Sequence, residues 1–246
     1  MIRSRRSRPH VRRLLAIGLI AAAVFASGCV YLRLLELKRQ FAQFDTYFSA
    51  DTREGVDIIC REPLLTPGDL RWLGIFPETL TTQQKEERWR VRWVKDAPPG
   101  EPETAVYDVE LAARFENGRL AHVTIPERYF QYFPKELFVS LLRSAGGARI
   151  DRGSRSAEVE NTPMPEKPSV APPTLEAILG LLGRPAERSQ QNGLEHFHYR
   201  YHAITSETKA KPIAVTFIFE PDTGRLHTLT AVLPRGTLHF KMSPAK

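Results

Sequence analysis

Two five-residue segments constrain this chain most: Trp89-Arg90-Val91-Arg92-Trp93 and Phe197-His198-Tyr199-Arg200-Tyr201. Both alternate large apolar with polar side chains. Because successive side chains of a strand point to opposite faces, such alternation predicts strands with one aromatic, buried face and one wet face. Each segment is followed by a hairpin signature. Phe115-Glu116-Asn117-Gly118-Arg119-Leu120 leads into Val123-Thr124-Ile125-Pro126, and Phe219-Glu220-Pro221-Asp222-Thr223-Gly224-Arg225-Leu226 leads into Ala231-Val232-Leu233-Pro234. A strand, a Gly-containing turn, a second strand and a terminating proline make a β-hairpin. Upstream, Gly68-Asp69-Leu70-Arg71-Trp72-Leu73-Gly74 with Pro77 parallels Thr174–Leu179 running on to Gly183 and Pro185. The correspondence predicts an α+β fold built from two repeated units, each a helix plus a three-stranded antiparallel sheet.

Between the units, Leu137, Phe138, Leu141 and Leu142 follow Pro134 at helical spacing and are closed by Gly146-Gly147, which predicts a helix. Residues 161–173 then hold five prolines, a composition that favours extended conformations. The expected organisation is therefore a leader at 1–28, an N-terminal helix at 29–50, a first α+β domain at 51–160, a Pro-rich linker at 161–173 and a second α+β domain at 174–246. The N-terminal helix is expected from the stripe Leu34, Leu37, Phe41, Phe44 and Phe48, spaced to pack on the sheet of its own domain.

The first 28 residues carry six arginines and no acid, then an apolar run from Leu14 to Phe25, then Ala26, Ser27 and Gly28 directly before Cys29. That is the layout of an export signal. The small residues let a peptidase approach the backbone, and a thiol is nucleophilic enough to take up a lipid. The segment resembles the lipobox of bacterial lipoproteins, with Ala26 where leucine is usual. The resemblance implies cleavage before Cys29, with covalent diacylglycerol and an N-acyl chain such as palmitate on that residue. Val30 in place of an aspartate implies sorting to the outer membrane, facing the periplasm. The alternative is an uncleaved signal anchor in the inner membrane, since Leu14–Leu32 is a stretch long enough to span.

Six of the 35 Lys and Arg residues are leader arginines, so residues 29–246 carry 29 basic against 28 acidic side chains. No electrostatic footprint for nucleic acid remains. With Cys29 lipidated, Cys60 stands alone in Ile58-Ile59-Cys60, where a free cysteine is expected as a small buried hydrophobe.

The run Leu175–Pro185, the aromatic strand Phe197–Tyr201 and the hairpin through Gly224 resemble the SmpA/OmlA family of small outer-membrane lipoproteins, which includes the accessory lipoprotein of the β-barrel assembly machinery. The layout is also similar to β-lactamase-inhibitor-like (BLIP) domains. The likeness covers residues 174–233 and, more faintly, 66–126. In place of the family's additional first helix this chain has the Pro-rich linker. The resemblance implies a non-catalytic scaffold or assembly-factor-like role, with the membrane and an envelope protein as partners.

Three histidines, His196, His198 and His202, share the wet face of their strand, and imidazoles two residues apart can bind zinc or copper. Arg200 lies among them and opposes a cation electrostatically, so no metal is expected and the histidines are read as the polar side of an amphipathic strand. The alternatives kept open are a periplasmic metal-binding protein or enzyme using this face, and a lipid or peptidoglycan binding module. Asp57 and Glu62, Glu86 and Glu87, and Asp108 and Glu110 lack any surrounding catalytic motif. No nucleophile elbow, phosphate loop or zinc-protease motif occurs, so an enzyme is not expected and no cofactor is required. The cluster Tyr129, Phe130, Tyr132 and Phe133 is read as core packing against the helix after Pro134.

Overall fold

A computed structural model describes residues 30–151, 153–160, 171–206 and 210–242. The leader, its flank Ala26, Ser27 and Gly28, the lipid-attachment residue Cys29, and residues 161–170 of the expected linker lie outside the described residues.

The described residues open with helix α1 (30–42), followed by the single turn α2 (Phe44–Tyr47) and strands β1 (Phe48–Asp51) and β2 (Val56–Cys60). Phe48, expected as the last member of the helical stripe, is the first residue of β1. Helix α3 (Pro67–Leu73) leads to β3 (Thr79–Gln83), β4 (Glu86–Lys95), β5 (Val109–Glu116) and β6 (Arg119–Ile125). Helix α4 (Lys135–Ser144), β7 (Arg149–Asp151) and β8 (Ser156–Glu160) come next. The remainder is α5 (Leu175–Leu182), β9 (Glu187–Gln191), β10 (Leu194–Ala203), β11 (Ile213–Phe219), β12 (Leu226–Leu233) and β13 (Gly236–Lys241).

Local chemistry sets the boundaries. The Thr66 hydroxyl accepts the Asp69 N–H while the Asp69 carboxylate accepts the Thr66 N–H, so two donors left over at the start of α3 are satisfied reciprocally. Pro67 adds a φ already suited to the first turn. Gly74, at φ 91°, ends the helix with its N–H on the Arg71 and Leu70 carbonyls. Helix α5 begins with the threonine half of this arrangement, the Thr174 side chain accepting the Ala177 N–H. At the β5–β6 turn Asn117 and Gly118 have φ 51° and 73°, the left-handed pair that matches strand twist in a two-residue hairpin.

Among the described residues thirteen strands form one mixed but mainly antiparallel sheet in the order β1-β2-β6-β5-β4-β10-β11-β12-β13-β8-β7, with β3 beside β4 and β9 beside β10. Strand β8 pairs with β13 in parallel. The two halves expected as separate domains thus share one sheet. They meet where Trp93–Lys95 of β4 pair with Tyr201–Ala203 of β10. Beyond that seam the Asp96 N–H donates to the Arg200 carbonyl (2.9 Å) and the Ile204 N–H to the Arg92 carbonyl (3.0 Å). The Glu78 N–H donates to the Arg90 carbonyl (2.8 Å), and the Ala186 N–H to the His198 carbonyl (2.9 Å). Of the expected linker, Pro172 and Pro173 are buried, and the Pro173 carbonyl accepts the Leu226 N–H.

The core follows from the alternation. Trp89, Val91 and Trp93 of β4 and Phe197, Tyr199 and Tyr201 of β10 all turn to one face, where they pack with Phe115, Phe217, Phe219 and the helical residues Leu70, Leu137, Ile178 and Leu182. This single cluster crosses the seam. A second, smaller cluster places Phe44, Phe48, Val56, Ile58 and Val139 together, with Phe41, Phe130 and Phe138 against them. Gly146 lets α1 approach closely, because a Cβ there would lie 2.1 Å from the Ala42 nitrogen. The helices accordingly cover the aromatic face, and the other face of the sheet is polar.

Candidate functional site

The polar face of the sheet carries the even-numbered residues of β4 and β10 and their cross-strand neighbours. Strand register decides what meets what. In the second half His198, Thr216, Thr230, His239, Glu158 and Arg149 occupy one register row across β10, β11, β12, β13, β8 and β7. His198 Nδ1 is 3.0 Å from the Thr216 hydroxyl and its Nε2 is 3.2 Å from the Ser189 hydroxyl. The Thr230 hydroxyl is 3.1 Å from His239 Nδ1. Glu158 accepts from Lys241 at 2.9 Å and from Arg149 at 3.2 Å. The hydrogen bond from Lys241, with the positive charges around it, holds the Glu158 carboxyl below its usual range.

In the first half contacts between arginine and carboxylate predominate. Arg90 reaches Glu110 at 3.1 Å, and Arg90 and Arg92 both lie 3.6 Å from Glu78. Arg92 also lies 3.6 Å from Asp108, a buried carboxylate that accepts the Lys95 N–H. Arg114 contacts His122 and Glu116, while Asp57 accepts the Thr124 hydroxyl at 2.8 Å. Side chains are thereby fixed relative to one another over much of the surface. A face whose polar groups are already held gives up little rotamer freedom when something docks on it.

The three candidate histidines lie along this face without converging. His196 and His198 have ring centroids 6.1 Å apart, and burial together with the neighbouring His198 lowers the His196 pKa. His202 Nδ1 instead meets Asp96 at 2.6 Å, across the seam. Among the described residues no three His, Cys, Asp or Glu side chains are grouped to hold a metal ion. The acidic pairs are likewise drawn into separate contacts: Asp57 to Thr124, Glu86 to Arg88, Glu87 to the Trp89 indole N–H, and Glu110 to Arg90.

The aromatic cluster divides. The Tyr129 hydroxyl accepts the Glu110 N–H at 2.6 Å and donates to the Asp108 carbonyl at 3.0 Å, fixing the 3-10 turn Glu127–Gln131 to β5. Phe130 stacks edge-on against Phe138, Phe133 joins the main core, and Tyr132 stays 41% exposed beside Gly180. Cys60 is a free thiol closing β2, and burial pushes its pKa up to about 11.

Lys95 is a feature that residue patterns did not point to. It is 5% exposed at the seam, its ammonium donating to the Arg184 carbonyl and lying 5.1 Å and 5.5 Å from the ring centroids of Tyr107 and Tyr199. Its place at the end of an alternating strand, on the aromatic side, was the available signal. No family model, curated protein or solved structure matches this chain.

Proposed function

We infer that this chain is a lipid-anchored bacterial envelope protein that holds a protein partner at the outer membrane, without catalysis, in the manner of the SmpA/OmlA lipoproteins it resembles. The observation that carries this reading is the join between tether and body. Ala26-Ser27-Gly28-Cys29 runs straight into α1, whose Arg33 side chain is bound at 2.6 and 2.8 Å to the buried carboxylate of Asp69. A lipid on Cys29 would therefore be attached to the body through a fixed helix, setting the distance and pose of the sheet at the bilayer. The pre-ordered polar face is the surface on which a partner would dock, with contacts of the Arg–carboxylate and Thr–His kind.

The body is read as an internal duplication. In support, Thr66 and Thr174 both cap the helix of their unit, and Gly74 and Gly183 both end it with positive φ. Trp89 and Phe197, Trp93 and Tyr201, and the two flanking backbone hydrogen bonds of the seam recur at one constant spacing.

The test is made in cells. A photo-crosslinking residue at Arg90 or Arg200 is expected to trap an envelope protein, and Cys29→Ser is expected to abolish acylation and release the chain from the outer-membrane fraction. Unchanged processing and membrane association of Cys29→Ser would refute the anchor. Failure of both polar-face positions to crosslink, with the chain correctly located, would refute the docking face.

A further inference from the structure

A groove of about 600 Å³ opens at the amino-terminal end of α1, between α1, α3 and the β13–β8–β7 edge of the sheet. Its apolar lining comes from Tyr31 and Leu34 of α1, Trp72 and Leu73 of α3, Ile150 of β7 and Leu238 of β13. Three of these are large side chains left open to solvent, Tyr31 and Trp72 at 39% and Ile150 at 43%, and Leu32 beside them on α1 is 61% exposed. Scattered exposed apolar residues are ordinary; four at one end of a fold are not.

The rim is cationic. Arg155 and Arg235 border the groove. The Arg235 guanidinium lies 5.2 Å from the Trp72 ring centroid and its Nε donates to the Trp72 carbonyl. Asp151, the acid at this rim, is turned to its own loop, where it accepts from the Gly153 N–H and the Ser154 hydroxyl.

Aromatic rings beside apolar side chains, with arginines at their margin, match the boundary between acyl chains and phosphates: the amphipathic rings settle at headgroup depth and the guanidiniums reach phosphate. The position in the chain supplies the occupant. Cys29 is two residues from Tyr31, so their Cα atoms are at most about 7 Å apart, two trans-peptide steps. A bilayer holding the tether is already at the mouth of the groove.

We propose that this face lies in the bilayer interface, with Tyr31, Trp72 and Ile150 at the headgroup–acyl boundary and Arg155 and Arg235 toward lipid phosphates. The proposal rests on the reading that the chain is tethered at Cys29. It adds that the body lies against the membrane through one defined face, leaving the polar sheet face for a partner.

Tryptophan emission tests it directly. Of the three tryptophans, Trp89 and Trp93 are buried in the core and Trp72 is the exposed one. The full chain is placed in vesicles of phosphatidylethanolamine and phosphatidylglycerol, with or without lipids brominated on the acyl chains. The expected result is a loss of emission in brominated vesicles, absent in Trp72→Phe. Equal emission in brominated and plain vesicles, for a chain that floats with them, overturns the proposal and leaves the tether standing. A chain that does not float overturns the tether and the proposal together. A concentration-dependent dimer, dissociated by Trp72→Glu and unquenched by brominated lipid, overturns it in favour of a second copy on this face.

Discussion

Arg33 grips Asp69 with two nitrogens, at 2.6 and 2.8 Å, and Asp69 is also the residue that completes the cap of α3. One carboxylate thus starts one helix and fastens another. Removing the guanidinium leaves a charge buried in the fold with only Thr66 to satisfy it, so Arg33→Ala is expected to cost about 3 kcal/mol. Thermal unfolding of the variant beside the parent measures it. The pH sign follows from the same contact. Burial opposes ionisation of Asp69, but Arg33 and the two Thr66 donors outweigh it and hold the folded carboxyl below its ordinary value of 3.8. The contribution is therefore present above that value and is lost as pH falls below it, and Arg33→Ala should flatten this acid limb of the stability curve.

Gly146→Ala places a methyl against the backbone of Ala42, where neither side can yield without moving α1. The expected loss is about 2 kcal/mol, typical of overpacking a tight contact. Gly147, with open space around it, is the control: Gly147→Ala should leave the melting temperature close to the parent's.

Lys95 titrates in the opposite sense to an exposed lysine pair. Desolvation lowers its pKa, against a smaller upward pull from Glu101. Between the folded and unfolded values the unfolded chain holds more protons, so stability gains from this site as pH rises through that alkaline window. Lys95→Met keeps the stem and removes the titrating group, so the rise of the denaturant midpoint with pH in that window should flatten relative to the parent.

Trp89 and Phe197 belong to different halves but to one core. Each truncation to alanine is expected to cost about 3 to 5 kcal/mol. Both should shift a single cooperative transition, followed by near-ultraviolet circular dichroism and by tryptophan emission. Two separated transitions would show that the halves unfold independently.

The Cys60 thiol, with its pKa pushed up to about 11 by burial, should react slowly with a disulfide reagent at neutral pH and rapidly once denaturant unfolds the chain. Cys29→Ser supplies the background without the second cysteine.

Much of the sheet was legible because its strands carry their burial in their own alternation. Trp89-Val91-Trp93 and Phe197-Tyr199-Tyr201 announce β4 and β10, Asn117-Gly118 announces the β5–β6 turn, and Leu137, Leu141 and their neighbours announce α4. Strands β3 and β9 were missed for the converse reason. Thr79–Gln83 is exposed throughout and Glu187–Gln191 nearly so, so neither has an apolar face to read, and each is held by backbone pairing to its neighbour. The union of the halves was also illegible. It depends on three residue pairs between β4 and β10 and on the parallel pairing of β8 with β13, and local alternation says which face is buried but not which distant strand is the partner. On the polar face the histidines were placed correctly along one side of β10, yet the threonine and the serine that hold His198 come from β11 and β9, beyond the reach of a pattern within one strand.

The order β4-β10-β11-β12-β13-β8 has a mechanical meaning. Strands from the later part of the chain are clasped between two that precede it, so neither part can be peeled away by breaking one set of ladder bonds. A single proteolytic nick between 161 and 170 would leave two fragments interlocked, migrating as one particle until denaturant opens both joints.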